Sequence, residues 1–298
     1  MKALWLMYYD YDMIDKSIEA GIDTLIINAF DLIPPGGGYD PFDKIIECLT
    51  RYKEKYPNVK LFLDPIWNPV WVVLPEEQQM FFEGKYQLHT PCIQNRAFIE
   101  SRINPSIEIY KQGLCDGIIW DVEEYGRGTP DHITFFSEKN KCECPKCKDL
   151  SWDEQWKIHQ DHCKELLVEI PINGHFPTRE VWGLKRYPNK LFLFLETTYG
   201  GIELWQTIKL RLYQLRNKLF YGLTYKLVPG IWIEAMYEDE FFKQIKITQK
   251  VYGGYWIFAQ RIFSHNSKFT AEALKAVGCV NTDFVTDSFF AKLKEINK

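Results

Sequence analysis

Residues 115 to 125 read Cys-Asp-Gly-Ile-Ile-Trp-Asp-Val-Glu-Glu-Tyr, a buried-strand run that ends abruptly in carboxylates. Side chains alternate faces along a strand, so Ile119, Asp121 and Glu123 share one face while Trp120, Val122 and Glu124 share the other. Asp121 and Glu123 then lie roughly 7 Å apart by strand rise. Like charges that close raise one pKa and keep a proton on hand near neutral pH, which is what a general acid requires. A strand that simply ends in solvent would carry the same acids without a task.

Outward from this stretch, short apolar runs recur with helix-like segments between them, the pattern of a parallel sheet in an α/β fold. The strands expected are 3–9, 24–30, 60–66, 117–123, 191–196, 230–235 and 254–260. The helices expected are 11–20, 41–55, 96–113, 152–168, 202–220, 238–250 and 270–276. Closing a (β/α)8 TIM barrel needs one more strand, either 168–172 or 180–184. The chain has 298 residues and no linker or repeat that marks a boundary, so a single catalytic domain spanning 1–298 is expected. Two connections exceed ordinary loop length. One is 67–95, after the third strand; the other is 124–151, after the fourth, a loop insertion that carries cysteines. Barrel enzymes keep their chemistry at the strand ends from which these loops leave.

The expected strand ends are polar where their beginnings are apolar. Asn28, Asp64, Asp121 with Glu123 and Glu124, Glu196, Glu234 and Gln260 fall at corresponding places. Glu196 and Glu234 sit in Phe-Leu-Glu-Thr and Trp-Ile-Glu-Ala-Met, where an unpartnered buried carboxylate would be costly, so each needs a partner or a role. Aromatics make up 16% of the chain, and many stand beside polar residues at segment ends: Tyr8, Trp67, Tyr125, Tyr199, Tyr237 and Trp256. Sugars present flat C–H faces ringed by hydroxyls, which suits aromatic platforms flanked by carboxylates and amides. A carbohydrate partner is therefore expected. With a net charge of −4 and no Lys/Arg block, nucleic acid is not. The chain as given shows no signal peptide and no run of membrane-spanning length, so a cytoplasmic protein without a membrane partner is expected. Composition does not set the oligomeric state.

Residues 115 to 123 resemble the fourth-strand signature of family 18 glycoside hydrolases, the chitinase-like barrels, in which Asp-Gly precedes alternating acids that end in the catalytic Glu. Tyr252-Gly253-Gly254-Tyr255-Trp256 is similar to their last strand. Asp116, Gly117, Asp121 and Glu123 match, whereas Ile119 stands where the first acid of the series would be. The resemblance implies that Glu123 is the acid/base and Asp121 its pKa-tuning or substrate-orienting neighbour, in a glycosidase working by carboxylate catalysis without a cofactor. A second scheme faces Glu123 with a nucleophile or base on another strand, Glu234 or Glu196. Carboxyl separations of about 5 Å would give retention, and about 6.5–9.5 Å inversion. A one-residue slip would exchange Glu123 for Glu124. The rival readings are a carbohydrate-binding barrel that has lost catalysis and a barrel lyase or transferase acting on sugars.

Cys142, Cys144 and Cys147 fall in one tight turn, followed by His159, His162 and Cys163 on an expected helix. Three thiolates plus one of these residues, Cys163 being the ligand chosen, would complete a closed tetrahedral zinc site, hence a structural one. Disulfides or free thiols are the alternatives. Cys48, Cys92, Cys115 and Cys279 read as scattered buried residues. No His-x-His follows the first strand and no Gly-rich phosphate loop is present.

Overall fold

The computed structural model describes the chain apart from residues 29–41, 65–74, 93, 122–140, 176–189, 197–207, 209–210, 213–214, 216–218 and 220–225; at 120–121, 163, 172–175, 190–196 and a few other positions inside helices and strands it describes the backbone alone. Eight parallel strands pair edge to edge and close on themselves: β1 (Lys2–Leu6), β2 (Thr24–Asn28), β3 (Lys60–Asp64), β6 (Gly117–Asp121), β7 (Ile172–His175), β8 (Lys190–Glu196), β9 (Lys226–Trp232) and β10 (Tyr255–Ala259). A two-stranded sheet, β4 (Gln79–Phe82) with β5 (Lys85–Pro91), stands apart from the ring.

The alternation of each strand builds two cores. Ala3, Trp5, Ile26, Phe62, Ile119, Val228 and Trp256 turn inward and fill the barrel. Their neighbours Leu4, Leu25, Leu61, Ile118, Ile231 and Ile257 turn outward against the helices. Strands buried on both faces are apolar throughout, which is why these runs stand out in the sequence. Indole and phenyl rings make up the filling: Trp5 meets Trp256 edge-on at 6.3 Å and Phe258 at 4.3 Å between centroids. Trp256 lies against Gly230, where a Cβ would come within 2.2 Å of its ring, so the absence of a side chain on β9 is what admits the indole of β10.

Helices α1 (Tyr11–Glu19), α2 (Phe42–Lys55), α3 (Arg96–Lys111), α4 (Trp152–Leu167), α5 (Glu238–Tyr252), α6 (Ala271–Ala276) and α7 (Asp287–Asn297) follow or flank the strands. Their ends carry local signals. Asp10 caps α1 at the amide of Met13, Ser151 and Glu154 form a reciprocal capping box at α4, and Gly253 ends α5 in the left-handed conformation. Among the described residues no helix is long and apolar enough to cross a membrane.

Two differences from the sequence expectation have physical causes. The missing strand is Ile172–His175, which touches the first candidate segment only at its last residue, because Pro171 has no N–H to donate to the ladder and the strand begins beyond it. The loop after β3 holds a hairpin. Its two turn residues, Glu83 and Gly84, both have positive φ, 50° and 79°, the geometry of a tight hairpin turn.

The Asp-Gly pair that carries the family resemblance lies at the opposite end of β6 from the mouth. Asp116 accepts the amide of Leu61 at 2.8 Å and pairs with Lys53 at 3.2 Å. Gly117 has φ 146°, and a Cβ there would lie 2.4 Å from the carbonyl oxygen of Pro171. Both residues set the register of β3, β6 and β7.

Candidate active site and thiol centre

The carboxyl-terminal mouth of the barrel gathers the polar strand ends. Asn28 and Asp64 are partners in the β2–β3 register and are 4% and 3% exposed, so over β2 and β3 the lumen ends in buried polar side chains above apolar ones. The hydroxyl of Tyr9 donates to the carbonyl of Asn28 at 3.0 Å. Tyr8 is buried, its ring edge-on to Phe269. On β6 the backbone at Asp121 is two residues beyond the lumen-lining Ile119, and the register sets it opposite His175 of β7. Glu196 ends β8 two residues beyond Phe194, which pairs with the lumen-lining Val228. Positions 121 and 196 thus share the strand parity of the lumen. Glu123, Glu124, Tyr125, Trp67 and Tyr199 lie outside the described residues.

Glu234 follows β9 in a single 3-10 turn and is fully buried. Its Oε1 accepts the amides of Gln260 and Arg261 at 2.8 Å and of Ile262 at 3.4 Å, while Oε2 has no hydrogen-bond partner among the described residues. Its backbone carbonyl accepts the amides of Val280 and Asn281. Burial pushes the carboxyl up to about 7 against the pull of those side-chain-bound amides. Glu234 therefore clasps three stretches of chain at the rim: its own turn, the turn after β10, and 280–281. Gln260 enters the site through that clasp, by its backbone amide. Arg261 extends it, donating to the carbonyls of Thr282 and Phe269. Next to this clasp the Nδ1 of His265 lies 2.8 Å from the Asp10 carboxylate, which joins the segment after β10 to the segment after the neighbouring β1.

The two aromatic expectations on this side part company. Tyr237 is 70% exposed just beyond the Glu234 turn, free to present a ring to a ligand. Trp256 is 3% exposed and packed in the lumen, so the sequence expectation of a sugar-stacking ring is corrected: the last strand points this indole into the floor of the barrel. The indole N–H of Trp5, which sequence reading did not single out, is buried in the lumen with no acceptor among the described residues.

Cys142, Cys144 and Cys147 converge, and among the described residues the fourth sulfur beside them is Cys92, the residue after β5; all four Sγ atoms lie within 4.8 Å of one another. Sulfur separations of 3.5 Å (Cys92–Cys147), 3.6 Å (Cys92–Cys142) and 3.9 Å (Cys92–Cys144) are far from a disulfide bond. They match the edge of a tetrahedron with metal–sulfur bonds of about 2.3 Å, roughly 3.8 Å. The four are buried, and Cys92 was not legible as a ligand because its partners lie 50 to 55 residues further along the chain. The sulfurs contact one another closely enough that hydrogen bonding from Cys142, with Cys147 and Cys92, holds the Cys144 thiol far below its ordinary range. A divalent metal ion fits that donor set. The side chain of Cys163 lies outside what the structure describes.

No family model matches the chain, and no curated protein matches it in sequence. The fold has solved relatives. A cold-adapted β-galactosidase from Rahnella sp. R3 superposes with a TM-score of 0.58 at 12% identity, covering 99% of this chain and 55% of that one. A β-galactosidase from the Antarctic haloarchaeon Halorubrum lacusprofundi gives 0.54 at 11% identity, covering 100% and 57%. A GH5-4 broad-specificity endoglucanase from an uncultured bacterium gives 0.50 at 8% identity, covering 96% and 84%. The chain thus spans little more than half the length of the two β-galactosidases. The expected likeness to glycoside-hydrolase barrels holds at the level of fold, while nothing singles out family 18. The chain is built on the barrel fold that these glycoside hydrolases share.

Proposed function

We propose that this protein hydrolyses glycosidic bonds at the carboxyl-terminal mouth of a single (β/α)8 unit. The observation that carries the reading is the change of character along the lumen. Rings and aliphatic side chains fill it, and on β2, β3, β6 and β8 the next positions up are Asn28, Asp64, Asp121 and Glu196. Carboxylates above a water-excluding floor are what proton transfer to a leaving sugar oxygen requires.

In this reading Glu123 protonates the glycosidic oxygen, and Asp121, two residues earlier on the same strand face, raises its pKa or orients the substrate. Glu196 is the opposing carboxylate. Glu234 is the less apt choice, since one of its oxygens is committed to three amides and the residue is fully buried. Tyr237, exposed just beyond the Glu234 turn, offers a stacking face, and Trp67 and Tyr199 follow the ends of β3 and β8 in the sequence. A zinc ion on Cys92, Cys142, Cys144 and Cys147 would be structural: four sulfurs close the coordination sphere and leave no place for water, so it contributes cross-linking and no catalytic chemistry.

Replacement Glu123→Gln keeps size and hydrogen bonding but removes the proton. On a panel of chromogenic glycosides it should lower kcat by at least about 100-fold, the scale of general acid catalysis, with sugar binding retained. Undiminished turnover in the variant would discard the mechanism. A non-catalytic carbohydrate-binding barrel is the second reading. It is favoured by Ile119, which is taken up in the lumen packing at the place where the resembled family carries an acid. Sugar binding by the wild type without turnover of any glycoside would select it.

A further inference from the structure

Gln155, on the first turn of α4, is fully buried against the thiol centre. Its Nε2 donates to the carbonyls of Cys142 at 2.8 Å and Cys147 at 3.0 Å, with a longer contact of 3.5 Å to that of Leu150. Its Oε1 accepts the amide of Cys142 at 3.1 Å. One side-chain amide thus spans the turn that carries three of the four sulfurs, holding its first and last ligands by their backbones. The turn closes on itself through the amides of Cys147 and Lys148, both bonded to the carbonyl of Cys144. It is tied to the β4–β5 hairpin by the amide of Glu143 donating to the carbonyl of Phe81 at 2.8 Å. Gln155 is itself held in place, because its helix starts at the Ser151–Glu154 capping box four residues earlier.

Resting on the four-sulfur metal centre proposed above, we infer that Gln155 is the positioning residue of that centre: it shapes the Cys142–Cys147 turn before metal arrives and couples metal binding to the seating of α4. Four thiolates brought together repel one another, and a chain left to itself would spread them. A buried carboxamide that satisfies two ligand carbonyls and one ligand amide removes that freedom in advance, so less ordering is left for the metal to impose. The metal in turn fixes Cys92, which ends the excursion after β3, to the turn that ends the excursion after β6. Gln155 carries that constraint into α4, the helix that leads to β7.

The test uses the full chain, stripped of metal and titrated with Co(II) and with Zn(II) against a competing chelator. Wild type should bind one equivalent, with the sulfur-to-Co(II) charge-transfer bands of a four-thiolate site. Gln155→Met, close in size but unable to bridge the carbonyls, should keep those bands and bind about 10–100-fold more weakly. Gln155→Glu, which keeps an acceptor for Cys142 but sets an anion against the carbonyls, should be weakened at least as much. Equal affinity in both variants would overturn the inference. Failure of the wild type to bind either ion would instead remove the metal centre itself, and this inference with it. Should the variants not fold, hydrogen exchange on metal-free wild type decides: slow amides at Cys142, Cys147 and Lys148 support a turn formed in advance, and fast ones refute it.

Discussion

Glu234→Gln tests the reading of the rim most directly, because the carboxyl group there is both fully buried and titratable. Its pKa rises from an ordinary 4.5 to about 7 in the folded chain, chiefly through burial. A group that binds its proton more tightly in the native state stabilises the fold fully below pH 4.5, and that contribution is lost as pH rises through 7. At 1.36 kcal/mol per pH unit, the loss amounts to roughly 3 kcal/mol between pH 4.5 and pH 7. The carboxamide of Gln retains an oxygen for the amides of Gln260, Arg261 and Ile262 but does not titrate. Its buried NH2 lacks an acceptor and costs about 1–3 kcal/mol at every pH. Urea unfolding at pH 5 and pH 8 separates the two effects. The variant should be less stable than wild type at pH 5, and the gap should close or reverse by pH 8, changing by about 2.5 kcal/mol over that range. Parallel pH profiles for the two proteins would show that Glu234 keeps an ordinary pKa, and the clasp as described would be wrong.

Gly230→Ala should lower the thermal midpoint, since the new methyl would sit 2.2 Å from the Trp256 ring and the lumen has to repack; a cost of about 1–3 kcal/mol is expected, and an unchanged melting curve would contradict the packing. Cys92→Ser should cut bound zinc, measured by elemental analysis of purified protein, well below one equivalent, whereas Cys163→Ser should leave it intact; the reverse pattern would restore the ligand set expected from sequence. Chelation of the metal should speed proteolysis within 75–95 and 141–150 ahead of the rest of the chain. Cleavage spread evenly over the chain would argue against a local fastener.

The doubly buried strands were legible because the ring leaves no wet face: Thr24–Asn28, Lys60–Asp64 and Gly117–Asp121 are near-continuous apolar runs with polar ends. Ile172–His175 was not, being short, half polar in Ile-Asn-Gly-His, and defined by pairing with β6 and β8 rather than by composition. The helix α7 (Asp287–Asn297) was missed although Phe289, Phe290 and Leu293 give it an apolar face, because it falls beyond the last strand that a barrel count requires. At the site, the polar strand ends were readable one at a time. Whether a given carboxylate faces a ligand or the backbone was not, as Glu234 shows.

Sequence by itself determined the alternation of apolar strands and helices, the polar strand ends, and a cluster of three cysteines in one turn. These are properties of residues near one another along the chain, where periodicity and spacing act directly. Tertiary structure alone decided that Cys92 completes the sulfur set, that Gln155 holds it, that Trp256 fills the floor against Gly230, and that Glu234 clasps the rim. Each depends on which distant segments the closing of the ring brings within a few ångströms, and that proximity is written in no local stretch of the chain.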